Sequence, residues 1–518
     1  MGDGRDGCDR RDECDGPDER DGDRAMALWW VRDDLRLADN PALLSAARTG
    51  TVVALHIDEE VAGARTPGAA SRWWLHHSLT ALAEDIRQYG VPLVLAAGDP
   101  CVVVPEVVQE VEASHVVWNR RYHRPHRDVD AALMSRLRED GVAVESFAAF
   151  LLHEPWTVTK DDGSGYKVYS AFARACRSRP EPREPHPRPR ELRGPVQAGE
   201  ASAGDPGAAV AGYPGTSVAG DPGTTVEGDL SATVAGRHLS TWFDADGFAD
   251  ALGERGWLPT APDWAGGLRQ TWTPGEAAAR ARLEELGDVL DGYDQRRDRP
   301  DQSGTSLLSP RLRFGELSPH EVWHRNVEFA SEAMSSGDAE AFRGELLWRE
   351  FAWHRRAVLP QLDSENIRPE FDDFAWDDDP QALRAWQRGR TGVPLVDAGM
   401  RELWETGYMH NRVRMVTASF LVKNLLQDWR KGEQWFWDTL VDADEGANPF
   451  NWQWVAGSGD DAAPYFRIFN PHRQAERFDP LGVYVDRWVP REEQEREPIV
   501  DVAQSRREAL AEYRRVKN

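Results

Sequence analysis

The pattern of hydrophobic positions divides the chain into two parts with different periods. Between residues 27 and 147 five short apolar runs recur, ALWWV, TVVALHI, VPLVLAA, SHVVW and VAVESF. Such runs predict buried β-strands. After the second run, apolar residues from Leu75 to Ile86 follow a helical spacing, with Ser71 placed to cap the helix and Gly90 to end it. Strands that alternate with helices predict a parallel α/β sheet. No GxGxxG follows the first run, so an ordinary dinucleotide site is not supported there.

The second part, from about residue 274 onward, has the period of amphipathic helices. The segments PGEAAARARLEELGDVLDGY, GELLWREFAWHRRAVL and NRVRMVTASFLVKNLLQDWR carry apolar stripes and capping glycines. Near the C-terminus, RREALAEYRRV predicts a last helix. The sequence therefore predicts a second domain that is mostly α-helical.

Two stretches show neither pattern. Residues 1–25 hold eight Asp, two Glu and five Arg among glycines and predict a disordered acidic extension, with Met26 as a candidate start beside Met1. Between about 178 and 236 a loose Pro-Gly unit repeats without a periodic apolar face, which favours a flexible connector over a stacked repeat. The predicted division is an extension at 1–25, an α/β domain at 26–155, a linker at 156–265, a helical domain at 266–500 and a C-terminal helix or tail at 501–518.

The charge balance is strongly acidic, with 88 acidic and 62 basic residues and a net charge of −26. Only five of the basic residues are lysine. This composition resembles that of a halophile's cytosol, and an ordinary acidic protein repelled by nucleic acid is the alternative. Net charge does not exclude DNA as a partner, because salt screens long-range repulsion and leaves short-range contacts intact.

The cysteines and the hydropathy exclude several classes of protein. The four cysteines, Cys8, Cys14, Cys101 and Cys176, form no CxxC pair, so we predict neither a disulfide framework nor a metal site. No apolar run approaches the roughly 18 residues that a membrane span needs, and the N-terminus is acidic where a signal peptide would be basic. The sequence therefore predicts a cytoplasmic protein that does not bind a membrane.

Three segments combine aromatic, charged and polar residues. GELLWREF places Glu345, Trp348 and Arg349 on one helix face, which offers a base a π-surface, a hydrogen bond and a cation. YDQRRDRPDQSGTSLLSP, at 293–310, has hydroxyls and exposed amides that suit a phosphate, although a simple helix cap is the commoner explanation. DADEGANPFNWQW, at 442–454, sets two carboxylates and Asn448 before paired indoles and lacks the spacing of a calcium EF-hand.

These segments, with TGVPLVDAGMRELWETGYMHNRVRMVTASFLVKNLL and WQWVAGSGDDAAPYFRIFNP, resemble the photolyase and cryptochrome flavoprotein family. LWWVRDDLRLADNPAL resembles its opening strand, and KVYSAFARA resembles the segment that enters its interdomain linker. The resemblance is closest to the cyclobutane pyrimidine dimer photolyases. It implies an α/β N-terminal domain with a parallel five-stranded, Rossmann-like sheet, joined by a long linker to an all-α FAD-binding domain.

The resemblance implies that FAD binds in the helical domain. Asp442 and Asp444 would face the flavin ring, Arg414 would pair with Asp442, and Asn448 would lie near the ring's N5, where a neutral amide suits an anionic reduced donor. The implied cofactor-binding residues are Tyr293, Thr305, Ser306, Leu307, Leu308, Ser309, Arg349, Arg414, Asp442, Asp444 and Asn448.

Tryptophans matching the family would serve two purposes. Trp452, Trp429 and Trp376 match its electron-transfer triad, from the flavin outward, and packing is the alternative for each. Trp348 and Trp454 match the two indoles of the substrate cavity, where a flipped-out lesion would stack. The implied catalytic residues are Glu345, Trp348, Asn411, Met415 and Trp454, and those matching DNA-phosphate contacts are Arg297, Arg412, Arg467 and Gln474.

The implied reaction is light-driven repair of cyclobutane pyrimidine dimers in UV-damaged DNA, by electron transfer from reduced FAD. Asn411 and Met415 stand where six-four photolyases carry histidines, and His410 is interpreted as packing rather than as an acid. The alternative from another class is a cryptochrome photoreceptor without repair activity. Asn448 and the short C-terminus favour the repair enzyme over this alternative. A preference for single-stranded DNA stays open, and we expect a monomer.

The family's α/β domain often binds an antenna chromophore, and its pocket would lie near WNRRYHRP at 118–125. Asn119 is followed by Arg120, where the folate type usually has a carboxylate. This departure favours a deazaflavin over a folate, and a vacant pocket is equally compatible with the sequence.

Overall fold

The computed structural model describes residues 25–195, 233–235, 237–238, 242, 244–332, 336–461 and 466–517. The predicted acidic extension, apart from Ala25, and most of the predicted Pro-Gly connector lie outside these residues.

The N-terminal part contains a five-stranded parallel sheet, as predicted. Its strands are β1 (Ala25–Val31), β2 (Gly50–Glu59), β3 (Leu93–Gly98), β4 (His115–Asn119) and β5 (Ala143–Phe147). Their order across the sheet is β3-β2-β1-β4-β5, so the first strand lies in the centre. Residues 27–31 are all buried, which means that both faces of β1 are covered.

Helices connect these strands and lead out of the sheet. They are α1 (Pro41–Thr49), α2 (Ala69–Arg87), α3 (Pro100–Glu110), α4 (Arg124–Glu139) and α5 (Tyr169–Arg177). A two-stranded antiparallel hairpin, β6 (Thr233–Val234) and β7 (Arg237–His238), precedes the helical part.

Helices dominate the rest of the described chain, which confirms the prediction of an α-helical second part. They are α6 (Ala245–Gly253), α7 (Gly266–Thr271), α8 (Glu276–Glu284), α9 (Leu286–Leu290), α10 (Tyr293–Arg296), α11 (Ser309–Arg313), α12 (Pro319–Glu332), α13 (Ser336–Val358), α14 (Pro380–Gln387), α15 (Pro394–Thr406), α16 (Asn411–Lys423), α17 (Trp429–Thr439), α18 (Ala447–Ala456), α19 (Pro471–Phe478), α20 (Val483–Trp488), α21 (Arg491–Gln494) and α22 (Val502–Lys517). A 3₁₀ helix covers Pro369–Asp373.

The start of α2 differs from the prediction. Gly68 occupies the N-cap position, and Ser71 lies inside the helix, where it is buried with its hydroxyl 3.5 Å from the carbonyl oxygen of Leu440. A Cβ at position 68 would collide with the backbone oxygen of Trp437. The helix therefore begins where the second domain leaves room for glycine alone, rather than at the residue best suited to cap it.

Buried polar contacts join the sheet to the helical part. Glu276 of α8 accepts hydrogen bonds from the backbone nitrogens of Leu37, at 2.7 Å, and Ala38, at 3.2 Å. Arg313 of α11 forms an ion pair with Asp33, just after β1, at 2.6 Å. The carboxyl end of β1 therefore faces the helices that carry the candidate site.

Candidate functional site

Three residues on one face of α13 reach three different neighbours. Glu345 forms an ion pair with Arg297 at 2.6 Å, and the ring of Trp348 stacks on Tyr169 with 3.6 Å between centroids. Arg349 donates to the carbonyl oxygen of Phe150 at 3.0 Å, in the α/β part of the chain. The helical spacing that the sequence displays thus connects a carboxylate, a half-buried indole and an interdomain cation.

Glu345 is half-buried, with 33% of its side chain exposed. Burial raises the pKa of Glu345, while Arg297 beside it acts in the opposite sense. Arg297 also lies over the ring of Tyr293, 5.6 Å from its centroid. A carboxyl group with a raised pKa retains its proton more readily and can donate a hydrogen bond to a carbonyl oxygen.

The Gly-Thr-Ser turn lies against the loop before α18. Ser309 donates a 2.6 Å hydrogen bond to Asp442, and Arg414 forms an ion pair with the same carboxylate at 2.8 Å. Leu307 has a φ of 55°, in the left-handed region, so the chain turns sharply between the hydroxyl residues. The structure therefore brings the predicted phosphate-side turn and the predicted ring-side aspartate together.

Asp444 and Asn448 are fixed by different partners. Asp444 accepts a 2.9 Å hydrogen bond from the backbone nitrogen of Gly446 at the start of α18, and burial raises the pKa of Asp444. The side-chain nitrogen of Asn448 donates to the backbone oxygen of Glu433 at 3.1 Å and to its carboxylate at 2.8 Å. Asp444 thus shapes the helix start, and Glu433 orients the amide.

Trp452 and Trp454 lie on opposite faces of α18. Two residues correspond to about 200° around a helix. Trp452 is buried and meets the ring of Phe436 edge-on at 4.9 Å. Trp454 is half-buried, with the guanidinium of Arg467 5.1 Å from its ring centroid and Phe469 beside it. One helix therefore presents one indole to the interior and one to a partly open, cationic surface.

The outer member of the predicted triad is more exposed than the other two. Trp452 and Trp429 are 2% and 0% exposed, whereas Trp376 is half-buried beside Phe374. Trp429 donates a 2.9 Å hydrogen bond to Asn366. Of the three indoles, Trp376 therefore has the most contact with solvent.

The predicted DNA-facing residues are distributed over four places: the end of α10, with Arg297, then α16, α19 and the segment before α19. Arg412 pairs with Asp298 at 2.6 Å, and Gln474 lies half-buried on α19. Asn411 is exposed as the first residue of α16, and Met415 follows one turn later on the same face.

His410 caps the start of α16. Its ring nitrogen accepts from the backbone nitrogen of Arg412 at 3.2 Å, and burial lowers the pKa of His410 to about 4. A buried capping imidazole of this kind agrees with the interpretation of His410 as packing.

Comparison with known proteins assigns a family to both parts of the chain. Residues 27–190 match the family model of DNA photolyase, and residues 342–497 match that of the FAD binding domain of DNA photolyase. The deoxyribodipyrimidine photo-lyase of Agrobacterium fabrum is 42% identical over 95% of this chain and 98% of that protein. The chain belongs to the photolyase and cryptochrome family.

Relatives within this family include photolyases and a cryptochrome. Cryptochrome-1 of Arabidopsis thaliana is 34% identical over 90% of this chain and 63% of that protein. The crystal structure of a bacterial class III photolyase from Agrobacterium tumefaciens matches with a TM-score of 0.82 and 40% identity, covering 97% of this chain and 100% of that one. These matches confirm the predicted fold class and the prediction of a photo-lyase enzyme.

The predictions about cofactor, membrane, origin, domain limits and oligomeric state are supported to different extents. The match over residues 342–497 supports FAD as the cofactor. None of the helices in the described part of the chain is long and apolar enough to cross a bilayer. The halophilic origin, the domain limits and the monomeric state stay predictions.

Unpartnered polar atoms in this photolyase-type site fit a bound FAD. Oδ1 of Asp442 and Nη2 of Arg349 are buried and have no hydrogen-bond partner among the described residues. Buried polar atoms normally have a partner. FAD offers both N–H donors and oxygen acceptors. The unpartnered oxygen of Asp442 can accept from such a donor, and the unpartnered nitrogen of Arg349 can donate to such an acceptor.

Sequence reasoning missed several residues that hold the site together. Tyr169 stacks on Trp348, Glu433 orients Asn448, and Asn366 receives the hydrogen bond of Trp429. Tyr169 belongs to the KVYSAFARA segment, which the resemblance includes without giving it a role. Glu433 and Asn366 carry no local signal, because tertiary packing creates their contacts.

The predicted antenna segment contributes to a cavity of about 450 Å³ between the two parts. Arg121 lines this cavity, as do Glu59 and Glu445. Asn119 instead donates to Asp34 at 2.6 Å, and Arg120 pairs with Glu154 at 2.8 Å. The two residues that favour a deazaflavin therefore do not line it, and the identity of the antenna stays a prediction.

Proposed function

We propose that the protein repairs cyclobutane pyrimidine dimers in UV-damaged DNA in a light-driven reaction that depends on reduced FAD. The observation that carries this proposal is the common face of α13, where Glu345, with a raised pKa, and the half-buried indole of Trp348 lie together beside Arg297. The photo-lyase relative at 42% identity supports it across the chain.

The lesion would be bound by stacking on both sides of the cavity. A dimer turned out of the duplex loses its base stacking, and Trp348 and Trp454 replace it at roughly 1 to 3 kcal/mol per base. Trp348 already has one face covered by Tyr169, which leaves the other for a base. Asn411 and Met415, on one face of α16, favour this lesion over the six-four photoproduct.

The reaction needs negative charge to be stabilised on the dimer. When bound, photoexcited reduced FAD supplies the electron that splits the cyclobutane ring and receives it back. Glu345 would donate a hydrogen bond to one dimer carbonyl, and the amide of Asn411 would donate to the other. The ion pair with Arg297 at 2.6 Å holds the Glu345 carboxyl in position before the charge develops, and its raised pKa makes a proton easier to share with the carbonyl oxygen.

The cofactor would be held by the residues around α18 and the Gly-Thr-Ser turn. Asp442, fixed by Arg414, and Asn448, fixed by Glu433, face the ring side in this proposal. Tyr293 and residues 305–309 would hold the phosphate and ribityl side. Trp452, Trp429 and Trp376 would carry an electron inward from the surface, with Trp376, the most exposed of the three, as the outer member.

DNA would be held by a few cations on an otherwise acidic protein. Arg467 lies over Trp454, next to the proposed lesion cavity. Arg297 and Arg412 are paired with Glu345 and Asp298, so a phosphate would share these guanidinium groups with a carboxylate. Gln474 would add a neutral phosphate contact.

The test is repair of dimer-containing DNA by the chemically reduced protein, in light and in darkness, across a salt series. We expect dimers to disappear only in light, and six-four photoproducts to remain. A flavin-containing protein that bleaches in blue light and repairs neither lesion would support the cryptochrome alternative. The 34% identity to Cryptochrome-1 is the observation that favours this alternative. Extraction and absorption spectroscopy of any second chromophore would test the proposal of a deazaflavin antenna.

A further inference from the structure

A cluster of two histidines and a glutamate lies where the two parts of the chain meet. His123 precedes α4, His126 lies in its first turn, and Glu445 belongs to the loop before α18. Nδ1 of His123 lies 3.1 Å from one carboxylate oxygen of Glu445, and Nε2 of His126 lies 3.5 Å from the other. One ligand atom from each residue lies within 4.8 Å of the other two.

Half-buried Glu445 lacks the arginine ion-pair partner that nearby carboxylates have, among the described residues. Nearby carboxylates have arginine partners: Asp33 pairs with Arg313 at 2.6 Å, and Glu59 pairs with Arg121 at 2.5 Å. The ion pairs of Glu445 within the described residues are those with the two histidines. An ionised buried carboxylate needs a cation beside it.

The outer nitrogen of each imidazole faces an oxygen. Nε2 of His123 lies 3.4 Å from the carbonyl oxygen of Pro360, and Nδ1 of His126 lies 3.7 Å from the carboxylate of Glu59. In metal sites the ring nitrogen remote from the metal usually faces a carbonyl or carboxylate oxygen, which fixes the tautomer. His123 therefore has the surroundings of a metal ligand, and Nδ1 of His126 lies just beyond hydrogen-bond distance of a carboxylate.

The inner contacts have the spacing of ligands that share an ion. Nδ1 of His123 has no hydrogen-bond partner among the described residues, although Glu445 is only 3.1 Å away. Bonds of about 2.0 to 2.1 Å at tetrahedral angles place the ligand atoms of a zinc ion about 3.3 Å apart. The distances of 3.1 and 3.5 Å bracket that value.

We propose that His123, His126 and Glu445 bind a divalent cation of the zinc type that joins the two domains. Two imidazoles and one carboxylate are a donor set that Zn²⁺ accepts with a fourth position left open. His126 and Glu445 line the cavity of about 450 Å³, so water or an anionic ligand reaches that fourth position.

The cation lies close to the proposed flavin site along the chain. Glu445 follows Asp444 directly and precedes Asn448 by one helical turn, so the metal ties α4 to the loop that orders this region. The prediction of no metal site rests on the spacing of the cysteines. The ligands proposed here are two histidines and a glutamate, so that prediction does not consider them. The His-x-x-His spacing at 123–126 was the signal available in the sequence.

Zinc and cobalt titrations of the chelator-treated, full-length flavoprotein test the proposal in the dark and without DNA. We expect one equivalent of Zn²⁺ by calorimetry, a higher Tm with zinc, and the ligand-field bands of four-coordinate Co²⁺. Glu445→Gln and His126→Ala should abolish the cobalt bands. Glu59→Gln, which keeps all three ligands, should weaken zinc binding about 10- to 100-fold.

His115→Ala is the matched control. His115 also faces a carboxylate, Glu145 at 3.1 Å, but at the opposite end of β4, so its loss should leave zinc binding unchanged. Flavin absorbance and circular dichroism show whether each variant folds. A wild-type protein that binds no stoichiometric zinc and gives no cobalt bands would overturn the proposal, whatever the variants do. Unchanged binding by a folded Glu445→Gln protein would do the same.

Discussion

The side-chain amide of Asn448 and the carboxylate of Glu433 are joined by a 2.8 Å hydrogen bond in which Asn448 donates. Glu433 in turn pairs with Arg65, from the α/β part of the chain, at 2.7 Å. The amide proposed to lie near the flavin N5 is therefore positioned by an ion pair that spans both domains. Its orientation depends on a negative charge at position 433.

Asn448→Asp should disturb this arrangement. The new carboxylate would stand against that of Glu433 and lose the hydrogen bond, at a cost on the order of 1–3 kcal/mol. We expect a lower Tm and a changed absorption spectrum of the bound flavin. Asn451→Asp is the control, because Asn451 is exposed on the same helix and bonds only to the backbone oxygen of Ala447. Equal effects of both changes would contradict the role of Asn448.

Much of the fold could be predicted from the hydrophobic pattern along single strands and helices, as two pairs of tryptophans show. Trp29 and Trp30 are adjacent and both fully buried, which an apolar run in a covered parallel strand requires. The separation of Trp452 from Trp454 likewise follows from the helical period alone. Patterns of this kind depend only on which side chains of one strand or helix are buried. They can therefore be recognised from a single sequence without an alignment.

Contacts between distant segments could not be predicted in this way. Ser71 has the better capping side chain, but the backbone near Trp437 leaves room only for Gly68 and so decides where α2 begins. The stacking of Tyr169 on Trp348 and the ion pair between Arg297 and Glu345 also depend on how helices meet. Family resemblance supplied the proposed roles of Trp348, Arg297 and Glu345, and the structure supplied their partners.

Trp454→Ala should weaken binding of dimer-containing DNA more than that of intact DNA. Loss of one stacking platform costs roughly 1 to 3 kcal/mol, or about 5- to 150-fold in affinity. The flavin should remain bound, because Trp454 faces the partly open side of α18. Fluorescence anisotropy with matched damaged and undamaged oligonucleotides measures the difference. Trp404→Ala is the control, since Trp404 is 55% exposed on α15. Unchanged discrimination by the Trp454 variant would remove it from the cavity.

Trp452→Phe should slow light-driven reduction of the flavin and spare repair by protein reduced beforehand. Phenylalanine retains packing against Phe436 but is much harder to oxidise than indole. Transient absorption follows the reduction, and dimer loss after chemical reduction follows the repair. Trp30→Phe provides a buried control in the α/β domain, where the ring nitrogen has no hydrogen-bond partner among the described residues. If the Trp452 variant loses both activities, its role is structural.

Arg467→Ala should lower affinity for damaged and intact DNA by similar factors. Each phosphate contact contributes about 0.9 to the slope of log K against log salt, so the slope should fall by about that amount. The measurement is a set of binding isotherms between low and high salt. Arg138→Ala, an exposed arginine on α4, should change neither affinity nor slope. An altered preference for damage with an unchanged slope would instead place Arg467 against the lesion.

Glu402→Gln should remove a pH dependence of stability. Burial raises the pKa of Glu402 to about 7, while one of its oxygens accepts from Tyr484 at 2.5 Å and from the backbone of His410 at 3.3 Å. The folded form therefore holds the proton more tightly than the unfolded chain. The stability that this group contributes is complete below about pH 4.3 and is lost as pH rises through about 7, by roughly 3 kcal/mol.

A glutamine at position 402 keeps an oxygen for both hydrogen bonds and carries no charge at any pH. Its Tm should therefore fall less than that of the wild type between pH 5 and 8, and exceed it at pH 8. Glu405→Gln, an exposed glutamate on the same helix, controls for loss of charge alone. Parallel Tm curves for the wild type and the Glu402 variant would show that the buried carboxyl does not titrate in this range.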